Sequence, residues 1–186
     1  MSAGADSTHL AALLADGGLR LEPLAERHRA PLRAACAADP EIWPIYFNSF
    51  AGEHFDPNFA MLLDGRGRAA FAVIEGATLI GMSSFLNIAA AHRTLEIGTT
   101  YLAPHARGTG INARMKRLMI DHAIACGFTR IEFRVDTRNA RSQAAMTKLG
   151  AVRDGVLRKH LITWTGHVRD SAIFSILAEE WTQRSA

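Results

Sequence analysis

The sequence predicts an α/β domain of the α+β kind, in which an antiparallel meander passes into a strand–helix–strand unit. Three observations carry this. Residues 69–102 hold three apolar runs at close spacing with turn signals between them, which argues for antiparallel neighbours. Residues 95–136 read as strand, glycine loop, basic-faced helix and strand. Two alternating arms around Thr165-Gly166 read as a closing hairpin.

The elements follow in order. Residues 1–18 read as a weakly ordered arm ending in Gly17-Gly18, and residues 19–186 as one domain. Leu19–Pro23 alternates apolar and charged residues and predicts a short strand. A helix follows over about Glu26–Ala38, with Leu32, Ala35 and Cys36 on one side; Pro31 must lie in its first turn or kink it. Pro40, Pro44 and Pro57 punctuate residues 39–59, where Trp43, Tyr46, Phe47, Phe50, Phe55 and Phe59 gather with His54. This stretch reads as a long connection, either capping the core or walling an acceptor pocket. Ala69–Glu75, Thr78–Ile88 and Leu95–Leu102 are the meander strands, with Gly76-Ala77 as a turn and Gly81 as an interruption.

After Gly108 the period changes. Over Gly110–Cys126, Ile111, Met115, Leu118, Met119, His122, Ala123 and Cys126 recur at helical spacing, with Arg114, Lys116, Arg117 and Asp121 assigned to the opposite face. Gly127 is the stop. Arg130–Asp136 alternates as a strand, Ala140–Leu149 is a helix ending at Gly150, and the hairpin spans roughly Gly155–Thr163 and His167–Leu177.

Composition bounds the function classes. With 186 residues, 48% hydrophobic and 21% charged, the chain is an ordinary globular domain. A net charge of +3 without runs of like charge argues against a polyanion groove, so no nucleic-acid partner is expected. No apolar stretch reaches the ~18 residues of a membrane span, and the first eighteen residues lack a secretory pattern; a cytoplasmic location is expected. Cys36 and Cys126 fit no metal or redox spacing and read as small core residues, with a disulfide as the alternative.

The chemistry centres on Arg107-Gly108-Thr109-Gly110-Ile111-Asn112, where an extended run gives way to a helix. The first helical turn has unpaired N–H groups, the helix dipole is positive there, and glycine lets a phosphate approach the backbone. A pyrophosphate-bearing ligand is expected. Gly108–Ala113 also satisfies G-x-G-x-x-[GA], with Asp136 where a ribose-binding acid could sit, so an NAD(P)-dependent oxidoreductase is a rival reading. Against it, Ala103–Arg107 separates the strand from the first glycine, and too few βα units follow.

The run LEIGTTYLAPHARGTGINARMKRLMIDHAIACGFTRIEFRVDTRNARSQAAMTKLGA, with the tail RDSAIFSILAEEW, resembles the GNAT acyl-CoA N-acyltransferase superfamily, and within it the RimJ/RimL-type branch. The resemblance covers about residues 19–181. It implies a mixed, twisted, seven-strand-like central sheet with helices on both faces. It also implies acetyl-CoA as co-substrate, no metal, a primary amine as acceptor (a protein N-terminus or a small amine), and a homodimer, to which the aromatics of 43–59 could contribute.

On the same resemblance, His105–Gly110 stands at the [QR]-x-x-G-x-[GA] loop that wraps the CoA pyrophosphate. His105 replaces the usual Gln or Arg, so Arg107 is expected to supply the charge beside the amides of Arg107–Asn112. Tyr101 and Leu102 stand where the strand backbone pairs with pantetheine, between strands that splay apart. Glu96 is the candidate base, on a strand face shared with Gly98, Thr100 and Leu102; its bland alternative is a buried glutamate paired with arginine. Ser142 matches a serine near the CoA sulfur, and Asn139 is both a good N-cap and a pantetheine contact. Met146 occupies the position where many relatives carry a tyrosine acid, which leaves a non-catalytic acyl-CoA sensor as a further alternative. His122 reads as a core residue; His54, Arg158 and His160 are lesser candidates near the acceptor.

Overall fold

The computed structural model describes residues 4–185. Its strands are β1 (Leu14–Asp16), β2 (Leu19–Pro23), β3 (Ala69–Glu75), β4 (Thr78–Ala89), β5 (Thr94–Leu102), β6 (Arg130–Asp136), β7 (Val152–Ile162) and β8 (Val168–Leu177). The helices are α1 (Arg29–Ala37), α2 (Phe55–Leu63), α3 (Ile111–Ala125), α4 (Ala140–Leu149) and α5 (Ala178–Ser185). The eight strands form one sheet in the order β1-β2-β3-β4-β5-β6-β8-β7. The expected mixed sheet is present, one strand wider than the seven anticipated.

The extra strand comes from the segment read as an arm. Leu14–Asp16 pairs antiparallel with Leu19–Leu21 through the tight turn at Gly17-Gly18. Leu10 and Leu14 are buried in the core, and the N–H groups of Ala5 and Asp6 donate to the carbonyls of Ala90 and Cys126. The few apolar residues of this segment give no periodicity to read, which is why it looks unstructured in sequence.

Two apolar clusters hold the sheet. One gathers Met115, Met119 and Ile120 of α3, Met146 of α4 and Trp181 against Leu95, Ile97, Leu102, Ile131 and Phe133. The other gathers Leu32 and Cys36 of α1, Phe55, Phe59 and Leu62 of α2, and Trp43 and Phe50, against Ala70, Met82 and Tyr101. Helix α2 begins inside the stretch read as a loop and runs four residues beyond it. Phe55, Phe59 and Leu62 sit at i, i+4 and i+7, a helical stripe, while Pro57 occupies the first turn, where its missing N–H costs no hydrogen bond. Each such buried side chain stabilises by about 1.5–3 kcal/mol. Both cysteines are free thiols, Cys36 buried in the second cluster.

The sheet is antiparallel except between β5 and β6, and there only Thr94–Glu96 pairs with Arg130–Glu132. Beyond Glu96 the two strands part, and each is held by its other neighbour: β5 by β4, β6 by β8 along its whole length. Strand β5 also carries a bulge. Between the pairs Met82–Tyr101 and Ser84–Gly98 it has one residue more than β4, and Thr99 takes a left-handed φ of 47°. The bulge shifts the alternation. Leu102 therefore joins Leu95 and Ile97 in the first cluster, and Tyr101 falls in the second. The simple alternation that put Glu96, Gly98, Thr100 and Leu102 on one face fails at Thr99.

Gly81 on β4 lies against this part of β5. A Cβ at that position would sit 2.0 Å from the Tyr101 carbonyl oxygen, so the close approach of the strands requires glycine.

Candidate active site

A cavity of about 690 Å³ occupies the opening between β5 and β6. Arg107, Gly108 and Asn112 line one end, Asn87, Glu96 and Arg134 the other; Asn139, Ser142 and Met146 form the α4 wall, and Tyr46, Phe47 and Phe50 a side from the aromatic segment. That segment does both things its sequence allowed: Trp43, Phe50, Phe55 and Phe59 are core, while Phe47, 44% exposed, looks into the opening.

The glycine loop has the conformation its sequence required. Gly108 (φ 77°) and Gly110 (φ 90°) are left-handed, Gly110 caps α3, and space is open where either would carry a Cβ. The Arg107 N–H is taken by the Pro104 carbonyl, and those of Ala113 and Arg114 return to Gly110. Between them lie the first-turn amides that a helix leaves without partners. Thr109 does not face the cavity: its hydroxyl donates to the Ala106 carbonyl at 2.8 Å and closes the loop. Ile111 is buried and anchors α3 in the core.

Arg107 is not the free cation expected of it. Its guanidinium donates to the Leu102 carbonyl at 2.8 Å, pairs with Asp39 and lies over the Tyr101 ring. The pairing buttresses the loop and neutralises the charge; Arg141 at the start of α4, exposed and lining the cavity, is the freer cation at this end. The signal for it was its place two residues after the cap Asn139. His105 is exposed and lies outside the cavity lining.

Tyr101 sends its side chain away from the cavity, stacked on Trp43 and donating to the Ala35 carbonyl at 2.7 Å; its carbonyl faces Gly81 on β4, and it lies outside the cavity lining. Leu102 lines the cavity. Asn139 is the N-cap of α4: its side-chain oxygen accepts from the Ser142 N–H at 3.0 Å, which leaves the amide nitrogen of Asn139 toward the cavity wall. Ser142 and Met146 stand one turn apart on that wall, and Met146 is nearly fully buried.

Glu96 sits where the strands begin to part, 7% exposed. The Asn87 side-chain amide donates to it at 2.7 Å, and the Arg134 Nε lies 3.2 Å away. Burial pushes its carboxyl above the ordinary carboxylate range, against the pull of the Arg134 charge. The glutamate is thus paired with an arginine and also faces the opening.

The sequence pattern assigns Lys116 to the solvent face of α3. It is instead buried, with its Nζ 3.3 Å from the Thr100 hydroxyl and 5.2 Å from the centroid of the Phe133 ring. Burial lowers its pKa to about 8, opposed by the charge of Glu96. Met115, Met119 and Ile120 flank it on the buried side of α3. A basic residue amid that stripe was the available sign, masked by Arg114 and Arg117 on either side.

The lesser candidates divide. His160 lines the cavity and shares a hydrogen bond with the Ser171 hydroxyl at 3.0 Å; burial and the charges of Arg134 and Arg169 lower its pKa. His54 packs against Trp164, and His122 bonds the His9 carbonyl, both outside the cavity lining. Arg158 is exposed on β7, away from this cavity. Asp136 is held by Arg138 through both carboxylate oxygens and is not free for a ribose. With one adjacent parallel pair among the described residues, in a sheet otherwise antiparallel, the dinucleotide-fold alternative is set aside. Among the described residues no cluster of His, Cys, Asp or Glu could hold a metal ion, and no helix is long and apolar enough to cross a membrane.

Comparison with known proteins agrees with the geometry. Residues 18–152 match the model of the acetyltransferase (GNAT) domain family. An uncharacterised N-acetyltransferase of Bacillus subtilis, YoaA, is 30% identical over 99 residues, 53% of this chain; the match spans about half of that relative, 55% of its length. A crystal structure from T. thermophilus, described as a candidate acetyltransferase, is 33% identical with a TM-score of 0.84, covering 98% of this chain and 95% of its own. RimJ of Mycobacterium smegmatis, solved with CoA-disulfide, shares the fold at 22% identity and a TM-score of 0.77, over 90% of this chain and 86% of its own. The chain belongs to the GNAT acetyltransferase family.

Proposed function

We propose that this protein moves an acetyl group from acetyl-CoA to a primary amine by direct attack in a ternary complex. One observation carries the reading: among the described residues the only parallel pair of strands parts at Glu96, and the opening runs in a single cavity to a glycine-capped helix start. The residues present fit the co-substrate. Gly108 and Gly110 leave room for a diphosphate against the amides of positions 108–112. Beyond Glu96 the inner edge of β5 is unpaired with β6, and at Leu102, whose carbonyl Arg107 engages, the backbone N–H is left for a pantetheine amide; Asn139 borders the same track.

Glu96 accepts the amine proton, directly or through a water. Its desolvation makes it a better base than an exposed carboxylate, and the Arg134 charge opposes that rise. Ser142 donates a hydrogen bond toward the sulfur. The acceptor enters from the side of Phe47 and His160, and it is either a protein N-terminus, as the RimJ/RimL-type branch would have it, or a small amine. A larger acyl group than acetyl fits the same chemistry. A cytoplasmic homodimer belongs to the same reading. Its surface is the exposed apolar set Ile162, Trp164 and Val168 at the β7–β8 turn, because the aromatics of 43–59 that the sequence suggested for it are mostly buried.

Release of CoA thiol from acetyl-CoA and succinyl-CoA, screened with small amines and N-terminal peptides, tests the proposal. Amine-dependent release that falls when CoA binding is weakened by Gly108→Val supports it. CoA binding without release for any amine would leave a sensor. An unaltered CoA affinity in Gly108→Val would show that the loop is not the diphosphate site.

A further inference from the structure

The acyl transfer just proposed leaves one proton unaccounted for. The departing thiolate takes a proton, Met146 has none to give, and a serine hydroxyl such as Ser142 is too weak an acid near neutral pH. The opening itself holds another candidate. The Lys116 ammonium reaches from α3 into the gap between the parted strands, touching Thr100 on β5 at 3.3 Å and facing the ring of Phe133 on β6. Phe133 is the first residue of β6 beyond the last pair with β5. A ligand lying between these strands passes this ammonium.

The surroundings of Lys116 are unusual for a structural lysine. It is 5% exposed, and its partners are the Thr100 hydroxyl and the Phe133 ring; among the described residues no carboxylate forms an ion pair with it. A methionine would fill the same apolar space without a desolvated charge. Thr100 does not need the lysine either, because its hydroxyl also bonds that of Ser83 at 2.9 Å. The charged group acting on Lys116 from β5 is Glu96. Arg134 on β6 and Arg169 on β8 act on Glu96, and Asp136 is held by Arg138. Asn112 and Ser142, which share the lining, are uncharged.

We propose, resting on the acyltransferase reading, that Lys116 is the catalytic acid of this site: its ammonium faces the thioester sulfur and gives it a proton as it leaves. The amine nitrogen forms its bond to the acyl carbon, the carbon–sulfur bond breaks, and its electron pair stays on sulfur. The proton lost by the amine goes to Glu96, and the proton gained by sulfur comes from Lys116 Nζ. The site resets when Glu96 returns a proton to solvent and Lys116 recovers one. A cation held in a low-dielectric gap also stabilises the thiolate before the proton moves. The lowered pKa of Lys116 matches it to this task near neutral pH.

The test reads the bound thiol directly, without turnover. CoA is bound to wild type, Lys116→Met and Lys116→Arg, and the thiolate absorbance is titrated. In wild type the midpoint lies below that of free CoA. Lys116→Met raises it by about one pH unit, a tenfold loss of thiolate at fixed pH, and Lys116→Arg keeps it low because the charge remains. In the transfer assay Lys116→Met lowers kcat by about 10²-fold with little change in the amine KM. Wild-type kcat declines above about pH 8 as the lysine loses its proton, and Lys116→Arg abolishes that decline. Equal thiol midpoints in wild type and Lys116→Met, or an alkaline decline unchanged in Lys116→Arg, overturn the assignment while leaving the CoA site intact. Failure of CoA to bind any of the three overturns the acyltransferase reading and this inference with it.

Discussion

Replacing Lys116 by methionine should make the folded protein more stable at neutral pH, by an amount that the burial of the ammonium sets. The pKa of the group falls from 10.5 to about 8 on folding. At about 1.36 kcal/mol for each pH unit, that fall costs the native state roughly 3 kcal/mol whenever the lysine is charged in both states. Methionine loses the hydrogen bond to Thr100 and the contact with the Phe133 ring, together worth about 1 kcal/mol. The net gain at pH 7 is then about 2 kcal/mol, or a rise in Tm of about 4–8 °C for a chain of this size. The sign reverses with pH. Between about pH 8 and 10.5 the unfolded chain holds a proton that the folded one has released, so wild type gains on the variant as pH rises through that window. Urea or thermal unfolding of both proteins at pH 7 and pH 10 measures this. The difference between the two cancels the titration of Tyr46 and Tyr101, which burial also shifts. A variant no more stable than wild type at pH 7, or an advantage equal at both pH values, would refute the reasoning.

Three further outcomes are expected. Glu96→Gln lowers turnover by about 10²-fold near pH 7. The deficit shrinks at high pH, where more of the acceptor amine is already deprotonated; a deficit independent of pH rejects Glu96 as the base. Gly81→Ala forces a methyl group to within 2.0 Å of the Tyr101 carbonyl oxygen. It should destabilise the protein by about 2 kcal/mol or more, read from the urea midpoint; an unchanged midpoint would mean that β4 and β5 separate freely. Asn139→Ala removes the cap on α4 and should cost about 1 kcal/mol in thermal unfolding. Titration of CoA against this variant shows whether the side chain also touches the pantetheine.

Where a segment's own pattern sufficed, the sequence was enough. Strands β2, β3 and β6 and helix α4 lie at the residues their alternation, cap and glycine stop mark. The glycine loop was equally legible, because left-handed glycines at a strand–helix junction leave few other conformations. What escaped depends on distant partners. The bulge at Thr99 is visible only against β4, and it alone decides which neighbours of Glu96 share its face. Arg107 could not be seen to be committed, since Asp39 lies sixty-eight positions away. Lys116 looked like its neighbours Arg114 and Arg117, although Arg114 reaches outward to Asp16 while Lys116 turns in. Helix α2 was hidden by Pro57, read as a breaker where it is a first-turn residue.

The separation of β5 and β6 has a thermodynamic consequence. Each strand completes its ladder with its other neighbour, so the gap between them is a feature of the resting fold. A guest threading it breaks no bond between these strands, and the Tyr46, Arg107 and Arg169 side chains already hold the Thr100, Leu102 and Arg134 carbonyls. Association therefore avoids much of the ordering penalty of clefts that form only around their ligand. Hydrogen exchange would register this as binding with little change in protection of the backbone away from the gap.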